Sequence, residues 1–127
     1  MGTELLKKPR IAVTMGDPAG VGPEVVLKAL ASPETAALAD WIVVGDKAVL
    51  ALASQITGAP LGVPLRDDGA LPSLDGFAFG KLSAACGLAA IRYVEAATRM
   101  CIAGEVDAMV TAPLNKEAVA LNGIPFS

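Results

Sequence analysis

Apolar and polar residues along the chain follow two periods that alternate with each other. Short apolar runs bounded by Gly, Pro or Asp predict buried strands, and longer segments with apolar residues at helical spacing predict helices. The predicted strands are residues 10–15, 41–45 and 107–111, and the predicted helices are residues 23–30, 47–56, 83–103 and 116–122.

Proline, glycine and capping residues set the predicted ends of these helices. Pro23 suits a first helical turn, where its missing N–H costs nothing, and Pro33 marks the end of that helix. Asp46 is a good N-cap for the second helix, which ends at Gly58, and Asn115 suits the same role in the last helix.

Residues 62–79 are rich in Gly, Pro and Asp and predict one or two short strands within an excursion. Successive strand–helix units are typical of α/β proteins, in which a mainly parallel sheet has helices on both faces. The length of 127 residues matches one domain, and no internal repeat is present. We therefore predict an α/β fold with a mainly parallel sheet and flanking helices over residues 1–127.

The longest predicted helix, residues 83–103, is apolar over most of its circumference. Its polar residues Arg92, Glu95 and Arg99 form one narrow stripe, in which Glu95 and Arg99 have the spacing of a surface ion pair. A helix of this kind is buried on several sides. We expect further structure or a partner subunit to supply the cover, and we expect self-association.

A turn rich in glycine lies between the first strand and the first helix, with the sequence TMGDPAGVGPE at residues 14–24. Such a turn, at the carboxyl end of a strand and the start of a helix, is a common place to hold an anion or a substrate. Its glycine spacing matches neither the dinucleotide fingerprint nor the P-loop. The residues alone therefore predict a specialised strand-to-helix turn, whose role is either functional or only that of a tight connection.

Two acidic residues of this glycine turn have both a structural and a functional interpretation. Asp17 either lines a ligand site or forms the turn by bonding its own backbone two residues on. Glu24 lies in the first helical turn, where the helix dipole favours its charge, so a structural role is the preferred interpretation.

Three residues near the last strand form a second candidate group. Thr111 ends that strand, and Asn115 is the predicted cap of the following helix. Lys116 lies in the first turn of that helix, where the dipole disfavours a cation. A charge placed against its local preference hints at function, such as pairing with a phosphate, although most surface lysines have no such role.

Composition and charge exclude several classes of function. A net charge of −3 argues against nucleic-acid binding, and the small basic cluster Lys7, Lys8 and Arg10 is interpreted as a solvated leader. Neither a signal peptide nor an apolar run long enough to span a membrane is evident. We expect a soluble, cytoplasmic protein without nucleic-acid or membrane partners.

Cysteine and histidine usage limits the chemistry available to this chain. Cys86 and Cys101 fall in the same predicted helix, about 22 Å apart at the α-helical rise, so a disulfide between them is excluded if the helix is intact. The chain has no histidine, which argues against a zinc site built from it alone and excludes a Ser–His or Cys–His pair within one copy.

Two segments resemble the signatures of the 4-hydroxythreonine-4-phosphate dehydrogenase family of vitamin B6 biosynthesis. The first is the glycine turn, and the second is DAMVTAPLNKE at residues 107–117, followed by GIPF at residues 123–126. They stand in the family's order and with family-like spacing. Family members are well over twice this length, and their Gly-His-Thr-Glu segment normally begins at the position after Ser127. The resemblance thus predicts the N-terminal portion of a longer, here truncated, enzyme.

The resemblance implies the fold of the isocitrate and isopropylmalate dehydrogenases. It implies oxidation of 4-phosphohydroxy-L-threonine by NAD or NADP, followed by loss of carbon dioxide from the 3-keto acid. It also implies a divalent metal (zinc, magnesium or cobalt) held by histidines across a homodimer, and a substrate phosphate gripped by the C-terminal half. None of those residues is in this chain, so we predict no catalytic and no metal-binding residue here and expect these 127 residues alone to be inactive.

By resemblance, the chain retains positions close to the substrate or cofactor, and these are Asp17, Gly20, Gly22, Thr111, Asn115 and Lys116. Two alternatives stay open. Relatives within the family act on threonate or erythronate 4-phosphate by similar chemistry, and an inactive, truncated binding module would keep the same turn.

Overall fold

The computed structural model describes residues 7–71 and 73–124, which form four strands and five helices. The strands are β1 (Arg10–Thr14), β2 (Asp40–Gly45), β3 (Leu65–Asp67) and β4 (Ala108–Thr111). The helices are α1 (Gly22–Ala31), α2 (Pro33–Ala37), α3 (Lys47–Thr57), α4 (Ala84–Ile102) and α5 (Lys116–Ala120). Pro125 and Phe126 of the second signature lie outside the described residues.

The four strands form one parallel sheet in the order β3-β2-β1-β4. β1 is central, with Thr14 opposite Val44 of β2 and Thr111 of β4. Ala12 and Val13 point to opposite faces of the sheet, and both are buried, so both faces of β1 are covered. The predicted parallel α/β fold with flanking helices is confirmed.

Helix α4 packs across β1, β2 and β4, and α1 packs against α3. The buried side of α4 is built mainly from small residues around Tyr93, which is fully buried. Its other side is partly exposed, and Ile102 is 82% exposed. Helix α4 is therefore buried mainly on the side that faces the sheet, and its polar stripe remains in solvent.

Three expectations about local structure were wrong or incomplete. Pro33 does end α1, but it also begins α2, a short helix that the sequence pattern did not reveal. Asp46 occupies the N-cap position of α3 without a side-chain cap bond, because its carboxylate is bonded elsewhere. Among the described residues Glu95 and Arg99 form no ion pair, whereas Arg92 pairs with Asp68 at 3.4 Å.

The following four expectations about local structure were confirmed. Residues 62–79 contain one short strand, β3, and Pro23 lies in the first turn of α1. Asn115 caps α5, and Cys86 and Cys101 are both free thiols. Within the described part of the chain, no helix is long and apolar enough to cross a membrane.

Candidate functional site at the carboxyl edge of the sheet

The two sequence signatures meet at one edge of the sheet. β1 and β4 are parallel neighbours, so the glycine turn and the segment after β4 leave the sheet side by side. The N–H of Ala112 donates to the carbonyl of Thr14 at 3.1 Å, and the N–H of Asp17 donates to the carbonyl of Pro113 at 3.2 Å. Segments nearly one hundred residues apart in sequence are therefore joined by direct backbone hydrogen bonds.

Two glycines allow this close approach. Gly16 has a φ of +71°, and a Cβ there would overlap the carbonyl oxygen of Pro113. A Cβ at Gly22 would overlap the carbonyl oxygen of Met15 and would lie 3.2 Å from the Cβ of Ala112. A side chain at position 16 would thus push the two signatures apart, and one at position 22 would chiefly disrupt the glycine turn itself. Gly16 was not among the predicted site residues, and its positive φ is visible only in the structure.

Asp17 is 4% exposed and shapes the glycine turn. Its Oδ1 accepts a hydrogen bond from the N–H of Ala19 at 2.8 Å, and its carbonyl accepts one from the N–H of Gly20 at 3.0 Å. Burial raises the pKa of Asp17 above its usual value, although hydrogen bonds from the Ala19 and Gly20 amides oppose that rise. The turn-forming interpretation of Asp17 is confirmed, and it does not exclude a second role.

Helix α5 presents the second candidate group. The Oδ1 of Asn115 accepts a hydrogen bond from the N–H of Ala118 at 3.1 Å, and Lys116 follows it on an exposed turn. Helix α5 lies directly on α4, because Gly87 leaves no side chain between α4 and the backbone of Ala118. The Nδ2 of Asn122 donates to the Ala84 carbonyl of α4 at 2.8 Å. These contacts hold α5 against α4, and the hydrogen bond from Asp17 to Pro113 places the segment that leads into α5 beside the glycine turn.

A shallow cleft of about 390 Å³ lies between these two segments. Four of the six predicted positions line it, namely Asp17, Gly20, Asn115 and Lys116. Gly22 lies beneath the turn, in contact with Met15. Thr111 borders a separate apolar groove between α1 and β4. The cleft is also lined by Val21, Pro113, Leu114 and Glu117, which sequence reasoning did not single out.

Buried polar side chains concentrate at this same edge. Among the described residues, the buried polar or charged side chains are those of Thr14, Asp17 and Asp46, and all three lie at or just beyond the carboxyl ends of β1 and β2. The hydroxyl of Tyr93 donates to Oδ2 of Asp46. The Thr14 hydroxyl has no hydrogen-bond partner in the described part of the molecule. Buried polar groups are costly unless bonded, so their concentration marks this edge as a functional candidate.

Among the described residues, no group of three or more His, Cys, Asp or Glu side chains is placed to hold a metal ion.

A parallel α/β sheet with a cleft at its carboxyl edge, between two signature segments, defines a class of proteins that bind small ligands at this edge. The family model described as pyridoxal phosphate biosynthetic protein PdxA matches residues 37–127. The chain therefore belongs to the PdxA family.

Known relatives support this assignment over most of the chain. It is 39% identical to the 4-hydroxythreonine-4-phosphate dehydrogenase of Geobacter metallireducens, over 88% of this chain and 38% of that protein. It is also 39% identical to the D-threonate 4-phosphate dehydrogenase of Cupriavidus necator, over 93% of this chain and 40% of that protein.

A solved structure gives the same result for the fold. The crystal structure of a 4-hydroxythreonine-4-phosphate dehydrogenase from Burkholderia phymatum superimposes with a TM-score of 0.83 at 39% identity, covering 91% of this chain and 39% of that one. The chain thus spans about two fifths of the length of the relatives it matches.

Proposed function

We propose that residues 1–127 form the N-terminal portion of an isopropylmalate dehydrogenase-like enzyme and supply one wall of its active site. The proposed reaction is oxidation of the secondary alcohol of 4-phosphohydroxy-L-threonine by NAD or NADP, which takes up the hydride, followed by decarboxylation of the 3-keto acid. The observation that carries this proposal is the meeting of the two signature segments around one cleft, in a chain of the PdxA family.

The residues of the cleft have distinct proposed roles. Lys116 supplies positive charge at the cleft, suited to a carboxylate or phosphate of the substrate. Asp17 holds the turn in shape and brings a buried carboxylate to the cleft wall. Gly20 lines the cleft without a side chain, so a ligand can approach the backbone closely. Gly22, Thr111 and Asn115 are proposed to support this wall from beneath it and beside it.

The cofactor and partners follow from the same proposal. NAD or NADP accepts the hydride, and a divalent metal (zinc, magnesium or cobalt) would polarise the reacting oxygen when bound by residues outside this chain. The proposed assembly is a homodimer, and the proposed compartment is the cytoplasm. The 127 residues alone are expected to be inactive, because they contain no histidine and lack the C-terminal residues that, by resemblance, bind the substrate phosphate.

The competing substrate is threonate 4-phosphate or erythronate 4-phosphate. It is favoured by the relative from Cupriavidus necator, which is as similar to this chain as the 4-hydroxythreonine-4-phosphate dehydrogenase from Geobacter metallireducens. The third candidate is an inactive binding module.

A substrate panel separates these candidates. We would assay a protein of the relatives' length that contains these 127 residues, called the full-length protein below, with NAD or NADP and added divalent metal. The substrates are 4-phosphohydroxy-L-threonine, D-threonate 4-phosphate and D-erythronate 4-phosphate. We expect the highest kcat/KM with 4-phosphohydroxy-L-threonine. A preference for either sugar-acid phosphate would overturn the main assignment, and no reduced cofactor from any substrate would favour the binding module.

A further inference from the structure

One buried pair of side chains lies outside the proposed substrate cleft. Tyr93 lies midway along α4 and is fully buried, and Asp46 follows the last residue of β2 and is 5% exposed. The Tyr93 hydroxyl donates a hydrogen bond to Oδ2 of Asp46. Burial first, and the Asp46 carboxylate second, raise the pKa of Tyr93, so its hydroxyl remains a proton donor to Asp46.

The second carboxylate oxygen of Asp46 reaches a different part of the chain. Its Oδ1 accepts a hydrogen bond from the N–H of Leu71 at 3.4 Å. Leu71 belongs to the segment that connects β3 to α4, residues 68–71 and 73–82, called the crossover loop here. One carboxylate thus connects the middle of α4 to a loop that has little regular structure of its own.

The crossover loop in turn contacts the glycine turn. The N–H of Gly80 donates to the carbonyl of Ala19 at 2.6 Å. Ala19 is the residue whose N–H is bonded to the Asp17 side chain. Hydrogen bonds therefore join Tyr93 to Asp46 and Asp46 to one part of the crossover loop, and a further hydrogen bond joins another part of that loop to the glycine turn.

We propose that the Tyr93–Asp46 pair is a positioning element that fixes the crossover loop, and through it the glycine turn, against the carboxyl edge of the sheet. Its effect on turnover rests on the proposed function, but its effect on the loop does not. A buried carboxylate is costly unless its oxygens are bonded, and here each oxygen has a donor from a different element. Loss of either donor leaves the carboxylate under-satisfied and frees it to shift.

The test compares two variants of helix α4 in the full-length protein. Tyr93→Phe removes one hydroxyl at the carboxyl edge. Met100→Ala is the matched control, because Met100 is buried in the same helix two turns away, and its truncation weakens the core without touching Asp46. Hydrogen exchange measured by mass spectrometry, at equal distance below each melting temperature, reports the opening of individual segments.

We expect Tyr93→Phe to speed exchange at least tenfold in residues 16–22 and 73–82, and Met100→Ala to leave both segments within twofold of the parent protein. Unchanged exchange in Tyr93→Phe, or an equal increase in Met100→Ala, would overturn the proposal. Should Tyr93→Phe fail to fold, Asp46→Asn replaces it. Asparagine has one acceptor oxygen for two donors, so the same segments should open, and unchanged exchange there would equally overturn the proposal.

Turnover provides the second readout. With the preferred substrate of the panel, Tyr93→Phe should lower kcat/KM at least fivefold, whereas Met100→Ala should leave it within twofold. Faster loop exchange without any dehydrogenase activity in the parent protein would refute the proposed function and leave the positioning role intact. Normal loop exchange in an active Tyr93→Phe protein would refute the positioning role and leave the proposed function intact.

Discussion

The parallel strands start together at the amino edge of the sheet and end together at its carboxyl edge. These two edges are held together in different ways. At the carboxyl edge, β1 and β4 are joined beyond their ends by backbone hydrogen bonds that require glycine, and Asp17 is buried there. At the amino edge, the side chain of Asp107 accepts from the N–H of Arg10 at 2.8 Å and pairs with its guanidinium at 3.3 Å. The Arg10 and Asp107 side chains are about half exposed, at 51% and 52%.

The comparison shows where the sequence has little freedom. Exposed ion pairs contribute little to stability and are readily replaced. Backbone in van der Waals contact with backbone admits no added side chain, so the carboxyl edge is restricted to glycine at two positions. Glycine loses more backbone entropy on folding than other residues, so this restriction is costly. Its location at the proposed active-site wall is consistent with a site that is held rigidly in place before the ligand binds.

The largest expected effect is a difference in the free energy of unfolding between two glycine variants, one at each edge. Gly22→Ala places a Cβ against the Met15 carbonyl and should lower the free energy of unfolding by about 3 kcal/mol or more. Gly104→Ala, near the amino edge, meets no atom within 4 Å and carries only the strain of a φ of +77°, about 1 kcal/mol. Urea unfolding of the full-length protein measures both, and equal losses would show that close approach does not distinguish the edges.

A second glycine tests how the start of α5 is held. Helix propensity alone predicts that Gly87→Ala, in the first turn of α4, stabilises this helix by about 1 kcal/mol or less. The overlap with the Ala118 backbone predicts the opposite sign, a loss of about 2 kcal/mol, together with displacement of Lys116. Thr98→Ala on the exposed side of the same helix is the control and should change stability by less than about 0.5 kcal/mol. Stabilisation by Gly87→Ala would contradict the proposed packing of α5.

The sequence predicted the elements whose signals are local. The cap at Asn115, Pro23 in the first turn of α1 and the long helix α4 each depend on residues within a few positions of one another. The role of Asp46 depends instead on Tyr93, forty-seven positions away, and a non-local partner replaced the expected cap. The same limit applies to Gly87. Its sequence context indicates only a residue of low helix propensity, and its role in the contact with α5 is visible only in the structure.

The candidate site was predicted in part for the same reason. The signature segments gave the four cleft residues Asp17, Gly20, Asn115 and Lys116. They also gave Gly22 and Thr111, which adjoin the cleft in sequence but face the Met15 backbone and the apolar groove. A motif predicts which segment forms a site, and only packing decides which of its residues face the ligand.

The unpartnered hydroxyl of Thr14 gives a smaller, third prediction. Thr14→Val keeps the shape of the side chain and removes a buried polar atom that lacks a bond, so the free energy of unfolding should rise by about 1 kcal/mol. Val13→Thr is the mirror control, since it buries a hydroxyl on the other face of β1 and should destabilise by about 1–3 kcal/mol. Chemical denaturation measures both, and a loss of stability in Thr14→Val would mean that the hydroxyl has a bonding partner.

The smallest predicted effects are the opposite responses of the two edges to acid. Hydrogen bonds from the Arg10 amide and guanidinium lower the pKa of Asp107, so its stabilising contribution is present above the usual value of 3.8 and is lost as the pH falls through its folded-state pKa. Burial raises the pKa of Asp17, so its contribution is present below 3.8 and is lost as the pH rises through its folded-state pKa.

Replacing each carboxyl group by an uncharged amide tests the direction in which each residue makes stability depend on pH. At about pH 7, Asp107→Asn should destabilise the full-length protein slightly and Asp17→Asn should stabilise it slightly, and both differences should shrink towards about pH 3. Asparagine keeps the acceptor for the Ala19 amide, so the turn itself should persist in Asp17→Asn. Differences that stay constant with pH would show that neither carboxyl group has a perturbed pKa.

The most direct test of the proposed active-site wall is the kcat/KM of four charge variants of the full-length protein with its preferred substrate. Asp17→Asn and Lys116→Met alter the cleft, and Arg10→Met and Asp107→Asn alter the amino edge. We predict that each cleft variant lowers kcat/KM tenfold or more, a loss of at least about 1.4 kcal/mol of transition-state stabilisation, and that each amino-edge variant remains within twofold. Parent-like kinetics in both cleft variants, or equal losses in all four, would contradict the assignment of the carboxyl edge as the wall of the active site.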